Sequence, residues 1–344
     1  MKKILTLALS FTLVMGMVTG CGSKDAAKTG TEGTAGAAVK TGLAVVTSIG
    51  KSTSVGEKDG LGQVDSTVVA VLVDASGKIV DCKIDSAQTK INFNAEGKLV
   101  TDLATEFKSK QELGAEYGMK GNSKIGKEWN EQANSLAEYV IGKTVDEVKS
   151  IAVSETTAPT DADLAATVTM SIGGYIQGIE KAVANAKDLG AKEGDKLGLA
   201  VNTNISKSTD AAADKEGLAQ AYSNYAAVSV NKDGKITSCA IDASQSNVNF
   251  STTGVVTSDL AAELKTKQEL GEAYGMKGQS KIGKEWNEQA DAFAKHVTGK
   301  TASEVTGIKL SDEGTPADSD LASSVTIHVG DYMSVVEKAA NNAK

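Results

Sequence analysis

The chain has 344 residues, a formal charge of -8, two histidines, three cysteines and no arginine. An acidic chain without guanidinium forks is poorly suited to nucleic acid or to an anionic lipid surface, both of which call for clustered cations. Neither G-x-S-x-G nor a Cys-His arrangement occurs, and the two histidines have no counterpart in the internal repeat described below, so a binding or carrier protein is expected in preference to an enzyme.

In chain order, the N-terminal "MKKILTLALSFTLVMGMVTGC" has two lysines, an apolar run too short and wrongly flanked to span a bilayer, then small residues before Cys21. That layout predicts a signal peptide over 1–20. "VTGC" resembles a bacterial lipobox, which makes Cys21 the lipidated N-terminus of the mature protein. The expected location is the extracytoplasmic face of the cell membrane, held by acyl chains. Cleavage removes Lys2 and Lys3 and no acid, taking the charge from -8 to -10. Residues 21–40, rich in Gly, Ala, Thr and charge, read as a flexible tether.

The remainder is a tandem repeat. Trp129 and Trp286, Cys82 and Cys239, and Pro159 and Pro316 are each 157 residues apart. That period is far longer than a solenoid unit and matches a whole domain. The expected organisation is a first repeat domain over 41–187, a linker over 188–196 and a second repeat domain over 197–344, each long enough for a self-sufficient core. The fold class is α+β: in each repeat, a small antiparallel sheet packed with three to four helices.

The hydrophobic pattern supplies the elements of each repeat. "GLAVVTSI" and "GLAVNTNI" predict a first strand. "STVVAVLVDASGKIVDCKID" and "NYAAVSVNKDGKITSCAID" predict hairpins turning on Ser-Gly and Asp-Gly. Cys82 and Cys239 alternate in phase with Ile84 and Ile241, so both thiols should face the core. A helix is then expected from Thr101 as N-cap to Gly118, with Leu103 and Phe107 on one face. Ser123 should cap a second helix with the stripe Ile125, Trp129, Ala133, Leu136 and Val140. Thr144 with Glu147, and Thr301 with Glu304, form capping boxes of a third helix. "TVTMSI" and "SVTIHV" alternate like strands, and closing helices follow at "YIQGIEKAVANAK" and "YMSVVEKAANNAK".

The two repeats have diverged unevenly. "KQELGAEYGMKGNSKIGKEWNEQA" (110–133) and "KQELGEAYGMKGQSKIGKEWNEQA" (267–290) share 21 of 24 residues, whereas "QVDSTVVAVLV" and "QAYSNYAAVSV" share 5 of 11. Packing accounts for Gly118, Ile125 and Trp129 in the block, but it does not call for the polar residues. A helix beginning at a serine among lysines offers free N–H groups and a positive dipole end. Lys120, Ser123, Lys124 and Lys127, with Lys277, Ser280, Lys281 and Lys284 in the second repeat, are therefore candidate anion or small-molecule ligand residues. Tyr117 or Trp129 is available to stack on a flat ring. The competing reading is a solvated helix face.

The hairpin with "DGKI", the helices, and an Asp followed by a hydroxyl-rich segment before an "EKA" helix together resemble the FMN-binding domain of bacterial surface lipoproteins and flavin-based electron-transfer proteins. In that family the segment reads D-x-x-S-G-A-T, and its Thr carries FMN through a phosphoester bond. Asp163 stands six residues before Thr169 in "DLAATVT", and Asp320 six before Thr326 in "DLASSVT". Thr167-Val168 and Ser324-Val325 replace the family's Gly-Ala. The resemblance implies FMN as cofactor, Asp163, Thr169, Asp320 and Thr326 as cofactor-binding residues, and a membrane redox partner. The alternative is a non-redox surface lipoprotein binding a peptide, sugar or cell-wall fragment.

Overall fold

The computed structural model describes residues 36–344; the expected signal peptide, Cys21 and most of the tether lie outside the described residues. The fold is α+β, with two antiparallel three-stranded sheets. The first repeat contributes β1 (Lys40–Ser48), β2 (Gly60–Val73) and β3 (Ile79–Phe93), paired in the order β1-β2-β3. Its helices are α1 (Lys110–Leu113), α2 (Trp129–Tyr139), α3 (Val145–Lys149), α4 (Ala162–Ala165) and α5 (Gly173–Ala184). The second repeat follows with β4 (Lys196–Asn204), β5 (Gly217–Val230) and β6 (Ile236–Phe250), then α6 (Lys267–Leu270), α7 (Trp286–Val297), α8 (Ala302–Thr306), α9 (Ser319–Ala322) and α10 (Gly330–Asn342).

The hairpin turns lie where the sequence places them, with Gly77 at φ 83° and Gly234 at φ 73°, backbone angles that favour glycine. Three expectations are corrected. Residues 101–108 are not helical: the Thr101 hydroxyl accepts from the Asn92 N–H (2.8 Å), tying the segment to β3, and Ser109 caps a single-turn α1. The second helix starts at Trp129, not after Ser123. "TVTMSI" and "SVTIHV" are not strands, since the chain there is irregular and runs directly into α5 and α10. Their alternation places Val168 and Ile172, and Val325 and Val329, in the cores beneath the helices.

Each sheet is buried on both faces. Val69, Val71 and Val73 of β2 and Cys82 and Ile84 of β3 pack on Trp129, Leu136 and Ile179 of their own helices. The alternate residues Val68, Ala70 and Leu72 meet Leu199, Val201, Tyr225 and Ala227 of the other sheet. The result is a helix–sheet–sheet–helix sandwich whose two middle layers come from different repeats. At one end Phe93 stacks on Phe250, with ring centroids 4.0 Å apart and planes 2° from parallel. Gly60 and Gly217 make room for these rings, because a Cβ at either would overlap the phenylalanine of its own repeat.

Each repeat has one hydrophobic cluster of its own between sheet and helices, and two further clusters draw on both repeats. The connecting residues take part as well. Val39 is buried at the end of the expected tether, Ala191 is buried in the linker, and the two segments meet at the Ala38–Lys192 bridge. Reciprocal ion pairs span the junction, Lys181 to Glu269 and Lys338 to Glu112, both at 2.6 Å. The same two amines donate to the edge-strand carbonyls of Val45 and Val201 (2.6 Å each), satisfying one otherwise free acceptor on each sheet edge.

Candidate functional site

The start of α2 determines what the duplicated block can do. Glu128 is its N-cap and forms a reciprocal capping box with Glu131. The buried Glu128 carboxylate also accepts the Met119 N–H at 2.8 Å, and its counterpart Glu285 accepts from Met276 and Lys277 (2.9 Å each). The helix start that the dipole argument relies on therefore lies at Glu128 and Glu285, not at Ser123 and Ser280, and is already supplied with carboxylates. Lys120, Lys124, Lys277 and Lys281 are exposed, Lys127 and Lys284 are half-buried, and Lys281 pairs with Glu313 at 3.5 Å.

Ser123 and Thr169, which the sequence suggests for different reasons, are brought together by a residue that sequence reasoning passed over. Gln132 on α2 has no exposed surface. Its Nε2 donates to the Ser123 hydroxyl (3.0 Å) and the Lys127 carbonyl (3.3 Å). Its Oε1 accepts the Thr169 N–H (2.8 Å), the Met170 N–H (3.2 Å) and the Thr169 hydroxyl (3.4 Å). Gln289 repeats this in the second copy, to Ser280 (3.1 Å), the Lys284 carbonyl (3.2 Å), and the Thr326 N–H (2.7 Å) and hydroxyl (3.2 Å). The signal was present in the sequence: a glutamine sits on the stripe Trp129, Gln132, Ala133, Leu136, where a buried polar group has to be hydrogen-bonded.

Asp163 and Asp320 are exposed on the single-turn α4 and α9, whose N-caps are Asp161 and Asp318. Among the described residues no hydrogen bond joins either to its threonine. Asn130 Oδ1 and Asn287 Oδ1, at equivalent positions beside the tryptophans, are buried without a partner in both repeats.

The tryptophans are core residues, each 2 % exposed, and each has its indole N–H bonded to a tyrosine hydroxyl: Trp129 to Tyr175 (2.9 Å) and Trp286 to Tyr332 (3.0 Å). Burial pushes the Tyr175 hydroxyl up to about 12 and raises that of Tyr332 as well. Lys110 lies over Tyr117 (4.6 Å) and Trp129 (5.4 Å). Its buried counterpart Lys267 is enclosed by Tyr222, Tyr274 and Trp286 and donates to the Tyr222 hydroxyl at 3.0 Å. The repeats differ here, since Asp65 occupies the position of Tyr222. The thiols of Cys82 and Cys239 are free and buried, and burial raises both above the ordinary cysteine range. Among the described residues no cluster of His, Cys, Asp and Glu is placed to hold a metal ion, and no helix is long and apolar enough to cross a membrane.

No family model and no solved structure matches the chain. It is similar over a limited stretch to the chlorophenol reductase of Desulfitobacterium hafniense, 36% identical over 94 residues, which is 24% of this chain and 29% of that protein. The chain thus spans under a third of the length of this curated relative.

Proposed function

We propose that this chain is an extracytoplasmic lipoprotein anchored through Cys21, whose two modules carry FMN at Thr169 and Thr326 and pass electrons between a membrane redox partner and acceptors outside. The observation that carries this reading is the buried glutamine. In both repeats it fixes the backbone of a threonine-bearing segment through an N–H while the threonine hydroxyl, half-buried, makes only a long bond to the same amide oxygen. Replacing that hydroxyl hydrogen by a phosphoester would leave the backbone bond in place. The segment also leads into a helix rather than a strand, as the family resemblance implies.

The residues present fit such a group. Thr169 and Thr326 would hold the phosphate, and the half-buried Lys127 and Lys284 stand on the loop that the same glutamine ties down through a backbone carbonyl. Bound FMN would supply one- and two-electron transfer, with the protein positioning the flavin and tuning its surroundings. The partial likeness to a protein named as a reductase supports a redox role over a purely adhesive one.

The test is colour. Protein purified from cells with the native maturation machinery should show flavin absorbance that survives denaturation, and Thr169→Ala combined with Thr326→Ala should remove it. A colourless wild type would favour the second reading, a non-redox module for a peptide, sugar or cell-wall ligand. Cys21→Ala should abolish labelled palmitate incorporation; unchanged labelling would refute the anchor.

A further inference from the structure

The sandwich has two seams where the edge of one sheet approaches the edge of the other, and the seam between β1 and β6 holds a groove of about 740 Å³, within the range of small-molecule sites. Its floor is apolar, formed by Leu43 and Val45 of β1, Ile241 of β6 and Ala294 of α7. Charges of both signs line it: the ion-paired Lys181 and Glu269, the buried Asp242, Lys187 and Asp188 where the first repeat meets the linker, and Asp291 and Lys295 of α7, of which Asp291 also accepts from the Gln268 amide. The groove is independent of the threonine site, because positions 291, 294 and 295 lie roughly on the opposite side of α7 from Gln289.

The two seams are unequal. By the 157-residue period, Ala240 and Thr298 of this groove correspond to Lys83 and Ile141 at the other seam, and the pair Asp291 and Lys295 corresponds to Asn134 and Glu138. This seam has the smaller side chain at two positions and Asp291 with Lys295 where the other has Asn134 with Glu138; at the other seam Lys83 pairs with Asp81 at 3.7 Å. Lys187 at the end of the first repeat and the linker residues Asp188 and Leu189 form a further wall along this seam.

We propose that this groove binds a small amphipathic zwitterion, of the chemistry of a short apolar peptide, with its side chains on the β1–β6 floor and its charged ends on Asp291 or Asp188 and on Lys295 or Lys187. A neutral lipid or sugar would leave both charge pairs unused. A single-sign ligand would leave one unused.

The test uses the full chain in detergent and trivaline as the probe, followed by titration calorimetry against a detergent blank. Saturable binding is expected for trivaline, and at least about tenfold weaker binding for its N-acetylated, C-amidated form. The variant Ala240→Lys with Thr298→Ile installs side chains that the fold already carries at the other seam, and should abolish binding while keeping the circular dichroism and melting of wild type. Should that variant fail to fold, Asp291→Asn with Lys295→Glu changes exposed positions only and should weaken trivaline several-fold. The proposal is overturned by absence of saturable trivaline binding to wild type, by equal affinity for the blocked peptide, or by undiminished binding in a folded variant.

Discussion

Trp129 and Lys124 stand five residues apart in the duplicated block and answer to different forces. Trp129 fills the core between helix and sheet, so Trp129→Ala should cost about 3–5 kcal/mol in urea denaturation. Lys124→Ala with Lys127→Ala removes charge at exposed and half-buried positions and leaves the Lys127 backbone bonds to Ser123 and Gln132 intact, so the change should stay within about 0.5 kcal/mol. Two buried carboxyls add a pH dependence. Burial raises Asp242 from 3.8 to about 7 and Asp85 to about 6, although backbone N–H groups at the starts of α6 and α1 donate to them. Unfolded, each loses its proton near its ordinary value; folded, each keeps it longer. Their contribution is therefore complete below about pH 4 and is lost as pH rises through 6 to 7. Asp242→Asn keeps an acceptor for the Gln268 N–H and removes the charging step. Relative to wild type, the variant should gain stability between pH 5 and pH 8, on the order of 2–4 kcal/mol; a difference constant with pH would contradict the assignment.

Among the elements, the segment holding Thr169 depends on a single side chain. Gln132→Ala would leave the Thr169 and Met170 N–H groups and the Ser123 hydroxyl without their partner, at a cost of about 2–4 kcal/mol. Limited proteolysis should then cut preferentially within residues 165–172, whereas Trp129→Ala should sensitise the chain more generally. How much of this was legible in the sequence follows from how local each cause is. The Gly77 and Gly234 turns and the Thr144–Glu147 and Thr301–Glu304 boxes depend on four or five adjacent residues, and they were read correctly. "TVTMSI" was misread because a six-residue alternation also fits two buried contacts, Val168 and Ile172, ahead of a helix. The start of α2 was misplaced because Ser123 is spent on Gln132 nine residues away, and Glu128, a less usual cap, takes the helix end. The Gln132–Thr169 contact spans 37 residues and no local rule reaches it.

At the scale of the whole molecule, the second sheet face decides what each repeat can do alone. The run "VVAVLV" in β2 is apolar at every position rather than alternating, the pattern of a strand covered on both sides. One side is covered by α2 and α5 and the other by the partner repeat. A fragment of residues 197–344 would bring its helices but expose Leu199, Val201, Tyr225, Ala227 and Phe250, all buried in the full chain. Each of the larger of these side chains contributes roughly 1.5–3 kcal/mol when buried, so their joint exposure rivals the ~5–15 kcal/mol that holds a domain together. The ion pairs across the junction are secondary: Lys181 and Glu269 are each about a quarter to a third exposed, so solvent screening keeps their coupling to roughly 1 kcal/mol or less. The fragment should therefore not be a cooperative monomer. It should either melt without a sharp transition or pair with itself through the exposed sheet, mimicking the arrangement of the full chain. Mixing it with residues 36–196 should restore a single sharp transition and one-to-one stoichiometry in analytical ultracentrifugation. A fragment that stays monomeric and melts as sharply as the full chain would mean that the helical face alone sustains each fold, and that the sheet-to-sheet contact only positions the two modules.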